Sequence, residues 1–155
     1  MKKLTAIFAA FMLLIGVSAF ANTGSDNVSK TVKDAFEKNF SGAVNVTWEQ
    51  TDELYFASFK LNEREVNAAY NEKGELIGIS RKLQLSEVPL NVTKSLKQDF
   101  EGYTVLNSVT EMLYEGQTVY YATVEGISKI LKLKCFSDGQ IYVEKRIKKL
   151  YQSFL

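Results

Sequence analysis

The sequence contains no histidine, a single cysteine and a single proline. Without histidine, the chain lacks the commonest general base near neutral pH, the serine and cysteine nucleophile systems that depend on it, and the usual zinc ligand. The single cysteine, Cys135, cannot form a disulfide within the chain. It lies on the same predicted strand face as Leu131 and Leu133, a pattern that is typical of a buried, inert thiol. The scarcity of proline and the absence of low-complexity segments argue against a long internal linker.

Other catalytic and ligand-binding motifs are also missing. The sequence has no glycine-rich phosphate loop and no loop with enough oxygen donors for calcium. Its 19 basic residues balance 18 acidic ones, so it lacks the positive excess of a nucleic-acid-binding protein. We therefore predict a protein that is not an enzyme, that has no catalytic residues, cofactor or metal site, and that does not bind nucleic acid.

Residues 1–21 have the pattern of an export signal. Lys2 and Lys3 precede an uncharged apolar stretch, and Ala19-Phe20-Ala21 is a small-x-small cleavage site. Cleavage after Ala21 predicts a periplasmic or secreted protein with no stable membrane insertion, whose residues 22–28 form a mobile lead. The alternative is a membrane anchor, because the uncharged stretch 4–21 is at the edge of spanning length.

The rest of the chain carries the same pattern twice, in residues 29–83 and 84–149. The motif Phe40-Ser41-Gly42 corresponds to Phe100-Glu101-Gly102, an offset of 60. The turn at Gly74 corresponds to the turn at Gly139, an offset of 65. A repeat of this size usually means that neither copy can bury its apolar face alone. We expect two α/β modules that share one structural domain, followed by an apolar tail at 150–155.

Each module is predicted to contain one helix and four strands. Helical spacing of apolar residues predicts helices over Val28–Phe40, with Asp26 or Asn27 as the N-cap, and over Leu90–Phe100. Alternation with period two predicts strands at 44–49, 55–61, 66–70, 76–83, 103–114, 118–125, 129–136 and 140–148. Joined edge to edge, the modules give an α+β fold, with one antiparallel sheet of about eight strands and both helices on one face.

The sheet face opposite the helices is predicted to be open to solvent. Tyr55, Ala57, Leu131, Leu133 and Cys135 are among the residues assigned to the helix side, which leaves aromatic, polar and charged residues interleaved on the other face. Such a composition is seen at protein-binding surfaces, although an ordinary solvated sheet would also show it. The predicted protein-binding residues are Phe56, Lys60, Tyr121, Thr123, Lys132, Lys134 and Tyr142, with Arg146 as a further candidate.

Two features near the carboxyl end have more than one interpretation. The basic run from Lys145 to Lys149 could protect an edge strand from unwanted pairing. The same run could contact an acidic partner or an anionic membrane. The apolar tail could fold back onto the sheet or pair two chains.

The order of the motifs resembles a known family. The first half carries a helix that ends in Phe-x-Gly, followed by Val-x-Val-x-Trp at 44–48, Tyr-x-Ala-x-Phe at 55–59 and Ala-x-Tyr at 68–70. The second half begins with Val88-Pro89 and a helix. This arrangement is similar to that of the exported PepSY-like, β-lactamase-inhibitor-like proteins of Bacteroidetes-type bacteria, over nearly the whole mature chain. The resemblance implies tandem α/β modules in one curved antiparallel sheet. It also implies a binding or inhibitory role through the open sheet face and the hairpin loops.

The sequence thus predicts a non-catalytic, exported binding module for a protein or peptide that it does not identify, with inhibition of an enzyme as one form of that role. A small ligand held in an aromatic-lined pocket, between the modules or between sheet and helices, is the main alternative. A structural protein that self-associates through its sheet edges or its tail is another.

Overall fold

The computed structural model describes residues 27–51 and 54–149. The predictions about the export signal, most of the lead segment and the apolar tail concern residues outside these ranges. Within them, no helix has both the length and the apolar character needed to cross a membrane.

Two helices of ten residues each occupy equivalent places in the two halves: α1 (Lys30–Asn39) and α2 (Leu90–Asp99). The side chain of Ser29 caps α1 by accepting a hydrogen bond from the Val32 N–H at 3.3 Å. The predicted N-cap at Asp26 or Asn27 is therefore wrong, because Ser29 already satisfies a free N–H of the first turn. Pro89 precedes α2, where its missing N–H costs no hydrogen bond.

Within residues 27–51 and 54–149, nine strands form one antiparallel sheet in the order β1-β2-β3-β4-β6-β7-β8-β9, with the short β5 paired to β7. The two halves join where β4 pairs with β6 over seven residues. The predicted fold is confirmed: an α+β fold with about eight main strands. The strands are β1 (Val44–Gln50), β2 (Tyr55–Leu61), β3 (Arg64–Tyr70), β4 (Leu76–Gln84), β5 (Thr104–Val105), β6 (Ser108–Tyr114), β7 (Gln117–Glu125), β8 (Lys129–Phe136) and β9 (Ile141–Lys148).

The single strand predicted over 103–114 is wrong, because this segment is divided into β5 and β6. Val105 lies opposite Val124 and Thr110 lies opposite Tyr121, so four residues lie between the two pairs on one side and two on the other. The chain therefore leaves the regular ladder at residues 106–107. The backbone carbonyl of Asn107 accepts a hydrogen bond from the Leu85 N–H at 2.8 Å. This bond holds the interruption against the short 3₁₀ turn Leu85–Glu87, which follows β4.

Both helices pack on the same face of the sheet and bury two apolar clusters. Val32 and Phe36 of α1 pack against strands β1 to β3, and Val92 and Leu96 of α2 pack against β6 to β8. The residues assigned to the helix side by their alternation are all buried in these clusters, so that prediction is confirmed. The set is Tyr55, Ala57, Phe59, Val66, Ala68, Leu131, Leu133 and Cys135.

Two glycine turns let the hairpins approach the helices closely. Gly74 has φ +76°, and a Cβ atom there would lie 3.0 Å from the backbone oxygen of Thr31 in α1. Gly139 has φ +95°, and a Cβ atom there would lie 2.8 Å from Oγ of Ser95 and 3.2 Å from the backbone oxygen of Asn91, both in α2. Only glycine combines the positive φ with this closeness.

Replacing Gly139 with alanine should therefore destabilise the protein more than the same change at Gly116. Gly116 also has a positive φ, +74°, but a Cβ atom there would meet no atom within 4 Å. Gly116→Ala should cost about 1 kcal/mol from backbone strain alone, and Gly139→Ala about 1–3 kcal/mol more, in the range of overpacking. Urea denaturation of both variants measures the difference. Equal losses would contradict close packing of the β8–β9 turn on α2.

Candidate functional site

The sheet face opposite the helices, here called the distal face, has an apolar centre. All members of this distal cluster come from strands or from residues beside them, and they include residues from both halves of the chain. Met112 lies directly opposite Val119, which in turn lies opposite Phe136, so the cluster crosses three neighbouring strands. The cluster consists of Leu54, Phe56, Ala69, Met112, Val119 and Tyr121, with Ile77 and Phe136 packed against it.

Phe56 and Tyr121 are buried, with 2% and 8% of their surface exposed. The prediction that both are open to solvent is therefore wrong. Alternation in a strand shows which face a side chain takes, but it does not show how many apolar neighbours pack around it there. Burial raises the pKa of the Tyr121 phenol, and the nearby charge of Glu144 adds to the effect.

A row of small polar side chains crosses the distal face beside this cluster. Ser58, Asn67 and Ser80 lie opposite one another on β2, β3 and β4, and Met112 lies opposite Ser80 on β6. The Ser58 hydroxyl donates a hydrogen bond to Oδ1 of Asn67 at 2.7 Å. Ser80 is 1% exposed, and its hydroxyl has no hydrogen-bond partner within the described part of the chain. The first half therefore contributes a polar row to this face in addition to its members of the distal cluster.

The second half contributes a rim of aromatic and cationic residues. Lys134 lies directly opposite Tyr121 on one side and Tyr142 on the other. Its Nζ lies 5.4 Å from the centre of the Phe136 ring, and the Tyr142 ring lies 5.9 Å from that ring. Cation–π contacts of this kind hold a lysine against an aromatic surface. Tyr142 is 56% exposed, so its ring is accessible at the edge of the cluster.

The predicted binding residues fall into two groups. Thr123 and Lys132 are half-buried and join the rim, since Lys132 Nζ donates a hydrogen bond to the Thr123 hydroxyl at 2.9 Å. Together with Tyr121, Lys134 and Tyr142 they form the group on β7, β8 and β9, and Phe56 adjoins this group through the distal cluster. Lys60 stands apart on β2, exposed and opposite Glu65.

Arg146 does not belong to the distal face. It lies opposite Leu131, which is buried on the helix side. The register shift in the β8–β9 ladder explains this, because the extra residue Glu144 changes the face of each β9 residue that follows it.

Sequence reasoning missed Leu54, Met112 and Ser80 on this face. Met112 shares a strand face with Thr110 and Tyr114, so its strand pattern could have placed it there. Leu54 precedes the regular alternation of β2, and the strand pattern therefore gives no signal for it.

The acidic side chains and the cysteine of the described residues do not form a cluster of metal ligands. No group of three or more acidic or cysteine side chains among these residues is placed to hold a metal ion. Cys135 is fully buried, as predicted, and burial raises its pKa to about 12. A thiol in this environment is protonated at neutral pH and is therefore a poor nucleophile.

Cys135 should accordingly resist thiol reagents while the protein is folded. At pH 8, a disulfide reagent such as Ellman's reagent should react with it only at the rate of unfolding, and within seconds once guanidinium chloride is added. The absorbance change over time measures both rates. Complete rapid labelling of the folded protein would contradict the burial of this thiol.

Two clefts are candidates for small ligands. A groove of about 570 Å³ between the end of α1 and β1 is lined by Phe36, Phe40 and Trp48 together with Lys33 and Glu37. A cleft of about 460 Å³ at the joint of the two halves is lined mainly by apolar residues, namely Leu54, Leu76, Ile77, Ile79, Leu113 and Tyr114. Both are open to solvent at the surface of the sheet.

Comparison with solved structures identifies the fold. A BLIP-like protein from Bacteroides fragilis superposes with a TM-score of 0.66 at 21% identity, over 82% of this chain and 92% of that one. A DUF2874 family protein from Bacteroides ovatus gives 0.67 at 20% identity, over 84% and 95%. A protein from Bacteroides eggerthii, named for an expected periplasmic location, gives 0.67 at 20% identity, over 78% and 88%. The chain therefore has the fold of BLIP-like and DUF2874 proteins of Bacteroides.

The resemblance to β-lactamase-inhibitor-like proteins of Bacteroidetes-type bacteria is confirmed at the level of the fold. No protein-family model matches the sequence. No curated protein matches it either.

Proposed function

We propose that this chain is a non-catalytic, exported module that binds another protein or a peptide through its distal face and the adjoining hairpin loops. Restraint of an enzyme is one form that this binding could take. The observation that carries the proposal is the rim on β7, β8 and β9, where exposed Tyr142 and the cation Lys134 lie beside a buried apolar cluster.

This arrangement matches the anatomy of protein interfaces. Their centres are apolar and rich in aromatic residues, their rims are polar, and a few aromatic anchors supply most of the binding energy. On the distal face, Tyr142 is the accessible aromatic anchor. Thr123, Lys132 and Lys134 provide hydrogen-bond donors and charge around it.

The structural neighbours support both parts of the proposal. One of them is called BLIP-like, which agrees with a binding or inhibitory module. Another is named for a periplasmic location, which agrees with the signal pattern at residues 1–21 and with cleavage after Ala21. At about 20% identity, the similarity to these structures supports the fold, and the proposed binding role depends on the rim described above.

The experiment uses the mature chain, beginning at Asn22, to capture partners from the cell-envelope extract of the source bacterium. The captured protein is then purified, and its affinity is measured by calorimetry. Tyr142→Ala should weaken binding roughly 10- to 100-fold, the loss expected for an aromatic anchor. If the partner is an enzyme, its activity should fall on binding.

The matched control is Leu90→Ala, which removes an 80% exposed side chain from α2 on the opposite side of the sheet. It should change the affinity by less than about twofold, as expected for a residue outside the interface. A partner that loses affinity with Leu90→Ala but not with Tyr142→Ala would overturn the distal-face proposal.

A second candidate function is the binding of a small ligand. The groove between α1 and β1 favours it, because Phe36, Phe40 and Trp48 line a space of a size that suits a small molecule. A thermal-shift screen with envelope metabolites and lipids tests this function. A hit that Lys33→Ala weakens and Tyr142→Ala does not would support it, whereas a screen without hits would count against it.

A further inference from the structure

The β8–β9 hairpin concentrates the positive charge of the chain. Residues 129–149 contain seven lysines and arginines against two acidic residues, a net charge of +5. The remaining residues contain twelve basic and sixteen acidic residues, a net charge of −4. The protein is therefore polarised, with a strongly basic hairpin at one end of an otherwise acidic chain.

Lysines face each other across this hairpin. Lys129 lies opposite Lys148, and Lys132 lies opposite Lys145. Like charges directly opposite each other destabilise a strand pair. Among the described residues, none of these four lysines forms an ion pair with a carboxylate. The neighbouring Lys149 does, with Glu125 at 3.3 Å. The two lysine pairs of the hairpin are therefore unfavourable charge pairs that no carboxylate of the described residues neutralises through an ion pair.

β9 is also the last strand of the sheet. No strand of the described residues pairs with its outer edge. After the register shift at Glu144, residues 145–148 pair regularly with β8 and so present an unbroken edge. The opposite edge, β1, is irregular: its register shifts between Val44 and Thr47, and Asn45 has φ +55°. Such distortions hinder pairing with a further strand, so β9 is the better edge for strand addition.

The cations of β9 alternate between the two faces of the sheet. Lys145 shares the distal face with Lys132, whereas Arg146 and Lys148 face the helix side, opposite Leu131 and Lys129. The side chains of an added strand would alternate in the same way. Carboxylates on such a strand would therefore meet a cation on both faces.

We propose that the outer edge of β9 accepts an acidic, extended segment of the partner protein as an additional antiparallel strand. This inference rests on the proposed function, since it names the chemistry of the partner. Backbone hydrogen bonds supply affinity in this mode of recognition, and side chains supply selectivity. The lysines repel a basic segment or the β9 edge of a second copy, while they attract an acidic strand.

The position of the charges favours a protein strand over a membrane surface. A bilayer would contact one face of the hairpin, whereas the cations of β9 lie on both faces around its edge. An added strand reaches both faces at once.

The probe is a short labelled peptide that repeats Glu-Glu-Val-Val, so that an added strand carries carboxylates on both faces, and its binding to the mature chain is measured by fluorescence anisotropy. It should bind, and its affinity should fall as salt is added, because screening weakens exposed charges. A peptide with Gln in place of Glu should bind roughly tenfold more weakly, which corresponds to about 1.4 kcal/mol. A peptide N-methylated at alternate residues keeps its charge but cannot complete the strand ladder, and it should also lose about tenfold.

The matched variants are Lys145→Glu with Lys148→Glu, and Lys94→Glu with Lys97→Glu as the control on exposed positions of α2. The β9 variant should fold, because it converts two like-charge pairs into opposite-charge pairs. Its affinity for the acidic peptide should fall about tenfold or more. The α2 variant makes the same change in net charge and should retain binding within about twofold.

Three results would overturn this inference. The acidic peptide could fail to bind, the N-methylated peptide could bind equally well, or vesicles containing phosphatidylserine could bind through β9 while the peptides do not. The captured partner separates this inference from the proposed function. If the β9 variant binds the partner normally and Tyr142→Ala does not, the acidic-strand inference is contradicted while the distal-face proposal stands.

Discussion

Phe56→Ala should lower the free energy of unfolding by about 3–5 kcal/mol, the usual cost of removing a large buried aromatic side chain. Phe56 is 2% exposed and belongs to the distal cluster with Ala69, Met112 and Tyr121. The midpoint of thermal unfolding should fall by roughly 10–20 °C for a domain of this size. Differential scanning calorimetry measures the change.

Tyr142→Ala is the control for this prediction. It removes an aromatic side chain from the same face, but from a position that is 56% exposed, so its cost should stay within about 0.5–1 kcal/mol. A Phe56→Ala variant as stable as the Tyr142→Ala variant would show that the distal cluster is not a packed core. The same contrast explains why Tyr142, and not Phe56, is the residue to change in binding experiments.

Phe36→Ala should have an effect at least as large, about 4–6 kcal/mol, because it combines a buried cavity with lost ring contacts. The Phe36 ring lies 5.0 Å from that of Phe59 and 5.2 Å from that of Trp48, with edge-to-face geometry in both pairs. Its ring is also 5.5 Å from that of Phe40. Phe36 therefore connects α1 to both β1 and β2, and chemical denaturation should show the loss as a lower midpoint.

Phe36→Leu and Glu37→Ala provide the controls for the aromatic contacts. Phe36→Leu keeps most of the buried volume, so it should cost roughly 1–2 kcal/mol. Glu37 is exposed on the same helix, and its replacement by alanine should cost less than about 0.5 kcal/mol. If Phe36→Ala and Phe36→Leu have similar stabilities, the buried volume of this side chain does not stabilise the packing of α1, which would contradict the prediction.

The sequence predicts the elements and the helix side of the sheet well. The spacing of Val32 and Phe36, and the alternation around Ala57 and Leu133, follow directly from helix and strand periods. Their burial in the two helix-side clusters confirms these predictions. The turn glycines Gly74 and Gly139 were also detectable, because each lies between two alternating segments.

The distal face shows where reasoning from periodicity fails. Phe56 and Tyr121 lie on the predicted face, but they are buried because this face brings together apolar residues from both halves of the chain, among them Met112. The face of Arg146 depends on one extra residue, Glu144, in the β8–β9 ladder. Strand register and bulges are set by tertiary contacts, and one shifted residue moves all those after it to the other face.

The proposal of a binding role rests on the groups that the distal face presents. This face carries an accessible tyrosine and lysines near aromatic rings, and it borders a basic edge strand. These groups can hold a partner in place. The proposed binding role depends on these groups.

Amide hydrogen exchange on the purified complex with the captured partner tests the binding face most directly. We expect slower exchange in β7, β8 and β9 on complex formation, with the exchange of α1 and α2 unchanged. Slower exchange confined to the two helices, with β7 to β9 exchanging as in the free protein, would contradict this expectation.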